Sequence, residues 1–300
     1  MSKKNFTAVI TLVSINQLSY ATDNNYINNI IKKYNIKILK TNKLSKLVKD
    51  FFFKVDLITF KNLKKAFKSH LFKGSDICIQ ENKYRKKKVI ACDMDKTIIN
   101  IETIDLIGEK ILNNNKIAEL TKEAMSGGIN YNSSIIQRTK FLKGISINEI
   151  KKTAKYIKFT KDADVVIKTL NSHGCHTMLI SGGYEIFANI IGKKIGFKEI
   201  ISNVPISKNG VLTGSLKGSI VDGKGKLSYL RKRIKTLDVK KKETIAIGDG
   251  QNDIDMIKYA GLGIAWNGFP KVKNMADVLA GYDFKSILYF QGYSREDIKF

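Results

Sequence analysis

Apolar and polar positions divide the chain into strand-like and helix-like segments. Residues 6–13 (FTAVITLV) are apolar and β-branched over a short stretch, and they predict a strand. A helix is expected at 25–34, a strand at 36–40, a helix at 59–72 and a strand at 76–80. Such alternation folds as a sheet with helices on one face, so residues 1–85 are expected to form a small α/β domain. Residues 88–94 (KVIACDM) are apolar without alternation, as in a parallel strand covered on both faces. A long helical stretch follows at 102–156, in which Ser146 and Glu149 have the spacing of a capping box. Strands are then expected at 175–180, 199–204, 243–247 and 261–265, and helices at 184–195, 226–236 and 251–259. Asn209-Gly210 predicts a hairpin turn. This order reads as a doubly wound α/β fold with a parallel sheet over residues 86–300. The helical stretch interrupts the rhythm just after the first strand. It is read as a cap, about residues 100–160, over the site such sheets carry at their carboxyl edge.

Composition changes this picture little. Hydrophobic residues make up 43% of the 300, enough for packed cores. Lys and Arg total 53 against 27 Asp and Glu, a formal charge of +26, which raises the question of nucleic acid or an anionic membrane. The excess is spread along the chain, with runs at 83–88 (KYRKKK), 231–235 and 240–242. It accompanies abundant Asn and Ile, as an AT-rich genome would give. It is therefore read as compositional bias plus attraction for anionic substrates, with no nucleic-acid partner expected. Cys78, Cys92 and Cys175 are too few and too scattered for a disulfide framework or a zinc site. They suggest a reducing compartment, hence the cytoplasm. No apolar run approaches the ~20 residues of a membrane-spanning helix. Lys3 and Lys4 ahead of residues 6–15, with Ser19-Tyr20-Ala21 beyond, imitate a secretory signal, but the short β-branched run favours the strand.

Candidate chemistry gathers at strand ends. The strand ending at Cys92 delivers Asp93 and Asp95 to the sheet's carboxyl edge, and strand 243–247 brings Asp249 and Asp253 to the same edge. An isolated D-x-D is more readily a solvated turn, but ligand sites gather at this edge of such sheets, and Asp249 with Asp253 exceeds turn chemistry, which needs one Asp or Asn beside Gly. Carboxylates converging from two strands repel unless a cation joins them, and hard oxygen ligands suit magnesium. A third strand runs into Ser181-Gly182-Gly183 and a helix. A hydroxyl with free amides at a helix N-terminus would cradle phosphate; for this tripeptide alone, a capped turn explains it equally well. Together the three strand ends offer a nucleophile, a metal cage and an anion cradle.

These motifs resemble those of the haloacid dehalogenase superfamily and, within it, the phosphoserine phosphatases. D-x-D-x-T stands at 93–97, S-G-G at 181–183 and G-D-G-x-N-D at 248–253, and the likeness covers about residues 88–280. It implies Mg2+-dependent hydrolysis of O-phospho-L-serine to serine and phosphate through an aspartyl-phosphate, the last step of serine biosynthesis. The alternative is action on another small phosphomonoester, or transfer to another alcohol. By the same resemblance Asp93 is the nucleophile and Asp95 the general acid and base. Asp93, the Asp95 carbonyl and Asp249 would hold magnesium. Ser181, Gly182 and Lys226 would hold the phosphoryl oxygens, Lys226 fitting the motif spacing better than Lys224. Asn252 would support the substrate, and Asp253 would orient the metal shell or Lys226. Glu102 is similar to the family's acidic residue that meets the substrate's ammonium group. Segment 124–138 (AMSGGINYNSSIIQR) is similar to the one whose arginine, Arg138 here, grips the carboxylate. Outside this context both would be ordinary surface charges on cap helices. Lys96 departs from the family's more usual serine. Residues 1–85 resemble the degenerate regulatory-type domains that precede the catalytic part in some of these enzymes. They carry no ligand motif, which leaves regulation, substrate recruitment or a homodimer contact as their roles.

Overall fold

A computed structural model describes residues 5–70, 72–113, 116–126 and 128–300. Lys3, Lys4, Leu71 and Gly127, which enter the sequence readings above, lie outside the described residues.

The first sheet contains β1 (Phe6–Ser14), β2 (Ile38–Ser45), β3 (Val48–Val55) and β4 (Ser75–Glu81), in the antiparallel order β2-β3-β1-β4. Helices Gln17–Lys33 and Leu57–Ser69 cover one face. There Ala8, Ile10 and Leu12 of β1 and Phe51 and Phe53 of β3 pack against Ile27, Leu63 and Phe67. The sequence reading omits β3. Its three consecutive phenylalanines, 51–53, hide the period-two pattern, and Phe52 faces away from the helices with Asp50. The second helix stops at Ser69, short of the expected residue 72.

The second sheet contains β5 (Val89–Cys92), β6 (His176–Tyr184), β7 (Glu199–Lys208), β8 (Val211–Lys217), β9 (Thr244–Gly248), β10 (Leu262–Trp266) and β11 (Val278–Ala280). Its order is β11-β10-β9-β5-β6-β7-β8, parallel except for the β7–β8 hairpin. Asn209 (φ 52°) and Gly210 (φ 77°) form that hairpin's turn, a conformation these two residues adopt at low cost. β5 lies in the middle of the sheet. Ile90 and Cys92 belong to the apolar cluster on one face, Val89 and Ala91 to that on the other, which explains its unbroken apolar run.

The cap springs from a two-stranded stem, in which Asn100 donates to the Lys158 carbonyl (3.1 Å) and Thr160 to that of Ile98 (2.9 Å). Above it lie helices Thr103–Ile107, Lys116–Ser126, Tyr131–Phe141 and Ile147–Thr153, the last opened by a Ser146–Glu149 capping box.

The two sheets share buried polar contacts. Arg85 donates to both oxygens of Asp50 (2.7 and 2.8 Å), to Thr11 (3.0 Å) and to the carbonyls of Tyr289 and Phe290 (2.9 Å each). Asp76 accepts from the amides of Gly281 (2.9 Å) and Asp283 (3.1 Å) and from the Ser286 hydroxyl (2.8 Å). The basic run 83–88 is thus only partly a solvated face, because Arg85 and Lys87 are buried. The three cysteines are buried and free. No helix among the described residues is long and apolar enough to cross a membrane.

Candidate active site

Three strand ends and the cap line one small cleft. Asp93, Asp95, Gly182, Gly183, Asp249 and Asn252 line it from the sheet, while Glu102, Tyr131 and Arg138 line it from the cap. Lys226 and Ser181 lie just beneath, fully buried; Lys224 is exposed.

Asp93 follows β5 directly, and its amide donates to the Ile247 carbonyl of β9 (2.9 Å), which fixes the first residue of the D-x-D at the sheet edge. Lys226 reaches up from helix Gly223–Thr236 and donates to Asp93 Oδ1 (2.5 Å) and Asp253 Oδ1 (2.7 Å). The other oxygen of Asp253 accepts from the amides of Asp249 (3.1 Å) and Gly250 (3.0 Å). Asp253 is therefore occupied on both oxygens and shapes the loop, leaving Asp93 and Asp249 to face the cavity. Asp95 Oδ1 accepts from the Thr103 amide (2.9 Å), which ties the second aspartate to the start of the cap.

The charge balance is lopsided. Asp93, Asp249 and Asp253 each offer an oxygen within 4.8 Å of the others, and Lys226 is the cation among them. Burial first, then Asp253, pushes the Asp93 carboxyl up to about 8 against the pull of Lys226. Burial raises Asp95 to about 6, opposed by the Thr103 amide. Burial also drives Asp249 well above the usual carboxylate range, with Asp93 adding to it, and does the same to Glu102, with Asp95 adding to it. Burial alone would discharge Lys226, but Asp253 and Asp93 outweigh it and hold the ammonium charged. A set of oxygen donors with surplus negative charge fits a hard divalent cation.

The S-G-G tripeptide departs from the expected cradle at a helix N-terminus. Extended backbone continues through Tyr184, with a register break after Ile180, and the helix begins only at Glu185. The glycines are needed for close approach. A Cβ at Gly182 would stand 2.0 Å from the Tyr131 hydroxyl, and one at Gly183 would stand 3.0 Å from Asp95 Oδ2.

On the cap, Arg138 is buried in helix Tyr131–Phe141. Its Nη1 donates to Thr121 Oγ1 (3.1 Å), which itself donates to Asp105 (2.6 Å), while its Nη2 is buried without a partner among the described residues. Sequence reasoning missed Tyr131, Thr121, Asp105 and Asn203. Tyr131 lies inside the 124–138 segment and could have been drawn from it; Asn203, in the middle of β7, carries no local signal.

The haloacid dehalogenase-like hydrolase family matches residues 90–258. The chain belongs to that family. Among curated haloacid dehalogenase-like relatives, it is 37% identical over 207 residues to the phosphoserine phosphatase of Methanocaldococcus jannaschii, covering 69% of this chain and 98% of that one. A substrate-bound phosphoserine phosphatase structure, 36% identical, matches 68% of this chain and 98% of its own with a TM-score of 0.65. A haloacid dehalogenase-family hydrolase of Salmonella enterica matches 95% of this chain and 99% of its own with a TM-score of 0.79. At 21% identity that likeness concerns the fold alone.

Proposed function

We propose that this chain hydrolyses O-phospho-L-serine to serine and phosphate with the aid of magnesium, the closing step of serine biosynthesis. The observation that carries the reading is the pairing of two kinds of wall around one cavity. The sheet edge contributes carboxylates and a buried lysine. The cap contributes one acid, Glu102, and one buried arginine, Arg138, with an unpartnered Nη2. One carboxyl and one guanidinium lining the same cleft as a phosphate-handling edge suit the ammonium and carboxylate of an amino acid.

Asp93 attacks phosphorus in line and becomes an aspartyl-phosphate as serine leaves. A carboxylate is a weak nucleophile, so its fixed position and the neutralisation of phosphate charge do most of the catalysis. Lys226, locked by Asp253, offers its charge to a phosphoryl oxygen beside Asp93. Ser181 and the Gly182 amide hold other phosphoryl oxygens, and Asn252 supports the substrate. Asp95 gives its proton to the departing serine oxygen and then takes one from the water that cleaves the intermediate. A carboxyl raised to about 6 can serve in both directions near neutrality. Asp93, the Asp95 carbonyl and Asp249 would hold magnesium. When bound, the ion would screen the phosphate's negative charge from the attacking carboxylate.

Phosphate release from O-phospho-L-serine with and without magnesium, beside O-phosphothreonine and p-nitrophenyl phosphate, tests the reading. Magnesium-dependent preference for phosphoserine is expected. Efficient turnover of the aryl ester with none of phosphoserine would sink the substrate assignment.

A further inference from the structure

Gly182 and Gly183 share one peptide unit, and every polar atom of that unit is engaged. Its carbonyl oxygen accepts two hydrogen bonds, from the Tyr131 hydroxyl (2.7 Å) on the cap and from Asn203 Nδ2 (2.7 Å) on β7. Its N–H donates to Ser181 Oγ (2.8 Å). The Asn203 amide is itself oriented, because its oxygen accepts from the Val221 amide (2.8 Å) and so turns its nitrogen toward Gly182. Ser181 and Asn203 are buried, and the Tyr131 hydroxyl lies close against the glycine backbone.

We propose that Tyr131 and Asn203 are positioning residues for phosphate binding, acting through the Gly182–Gly183 peptide to aim the Ser181 hydroxyl proton at the phosphoryl group. The proposal rests on the phosphate-ester reading given above. A hydroxyl that receives an N–H on one lone pair has its single proton free for a different acceptor, so the Gly183 amide settles which way Ser181 donates. Two donors on the carbonyl polarise the peptide and strengthen the N–H at its other end. They also hold the peptide plane against rotation, which two consecutive glycines would otherwise allow. Asn203 comes from the sheet and Tyr131 from the cap, so the cap wall takes part in organising the phosphate wall opposite it. No covalent step is involved; the relay sets the direction of one hydrogen bond.

The test is Tyr131→Phe, which keeps the ring and removes the donor, assayed alone and combined with Ser181→Ala. Because the relay acts on phosphate, kcat should fall about five- to tenfold on both O-phospho-L-serine and p-nitrophenyl phosphate, the size of one lost hydrogen bond, with KM little changed. In the Ser181→Ala background the same change should lower kcat by less than about twofold, since the hydroxyl it serves is gone. Losses that multiply independently in the double variant would overturn the relay. So would a loss confined to phosphoserine, which would place Tyr131 against the serine moiety. Wild-type enzyme active on the aryl ester yet inert on phosphoserine would sink the amino-acid substrate instead, and the aryl ester would still decide the relay.

Discussion

Arg138 gives the sharpest separation between general phosphatase chemistry and recognition of an amino acid. The residue is 2% exposed, its Nη1 held by Thr121 and its Nη2 lacking any partner among the described residues. A substrate carboxylate meeting that edge would gain a charge-assisted bond in a dry site from a group already oriented. Removing one partner of a buried, hydrogen-bonded charge pair costs about 2–5 kcal/mol. At about 1.4 kcal/mol per decade this is roughly a 30- to 4,000-fold loss. Arg138→Met keeps the aliphatic stem, so its damage to folding should be slight. The assay is kcat/KM for O-phospho-L-serine beside p-nitrophenyl phosphate, which has no carboxylate. Phosphoserine use should fall by about 30-fold or more, and aryl phosphate use by less than about threefold. Equal losses on the two esters would refute the assignment, because the residue would then be supporting the cap and not reading the substrate.

Asp93→Asn should abolish turnover, whereas Asp95→Asn should still bind phosphoserine but turn it over about 10²–10⁴-fold more slowly; measurable turnover by the first variant at near wild-type rate would overturn the nucleophile assignment. Lys226→Met leaves Asp93 and Asp253 buried without their cation and should lower unfolding stability in urea by about 3–5 kcal/mol, while exposed Lys224→Met should change it by less than about 0.5 kcal/mol. Similar effects from both would contradict the buried bridge. The folded Asp93 carboxyl titrates at about 8 against an ordinary 3.8, so between those values the native state keeps a proton that the unfolded chain has released. Stability of the metal-free protein should therefore fall as pH rises from about 4 to about 8, with the raised Asp95, Asp249 and Glu102 acting in the same sense. Bound magnesium would relieve the repulsion and should raise Tm more at pH 8 than at pH 5; an increment independent of pH would argue against metal binding at this cluster.

Much of this arrangement is legible in the chain itself because β5 and β9 are short, buried and apolar. Each ends directly in its acidic motif, so strand position and chemistry are read together. β3 is not legible, since three consecutive phenylalanines serve two faces at once and Asp50 is an interior ion-pair partner, contrary to what its charge suggests. The Ser181–Gly183 segment was misread for a related reason. Glycines after a strand look like the entry to a helix, but here the extended backbone runs on through Tyr184, and the glycines answer to the close approach of Tyr131 and Asp95. Asn203 could not be foreseen, because its role depends on Gly182, a contact made between strands.

The bond from Arg85 to the Phe290 carbonyl joins residues 205 positions apart. Both sheets can be synthesised while the stretch that closes over Arg85 and Asp76 is still to come, and such remote closures are slow steps in assembly. The chain carries its own reporter of that last docking. Its single tryptophan, Trp266, meets the ring of Phe284 edge-on at 4.8 Å, so seating this strap changes the surroundings of the only indole.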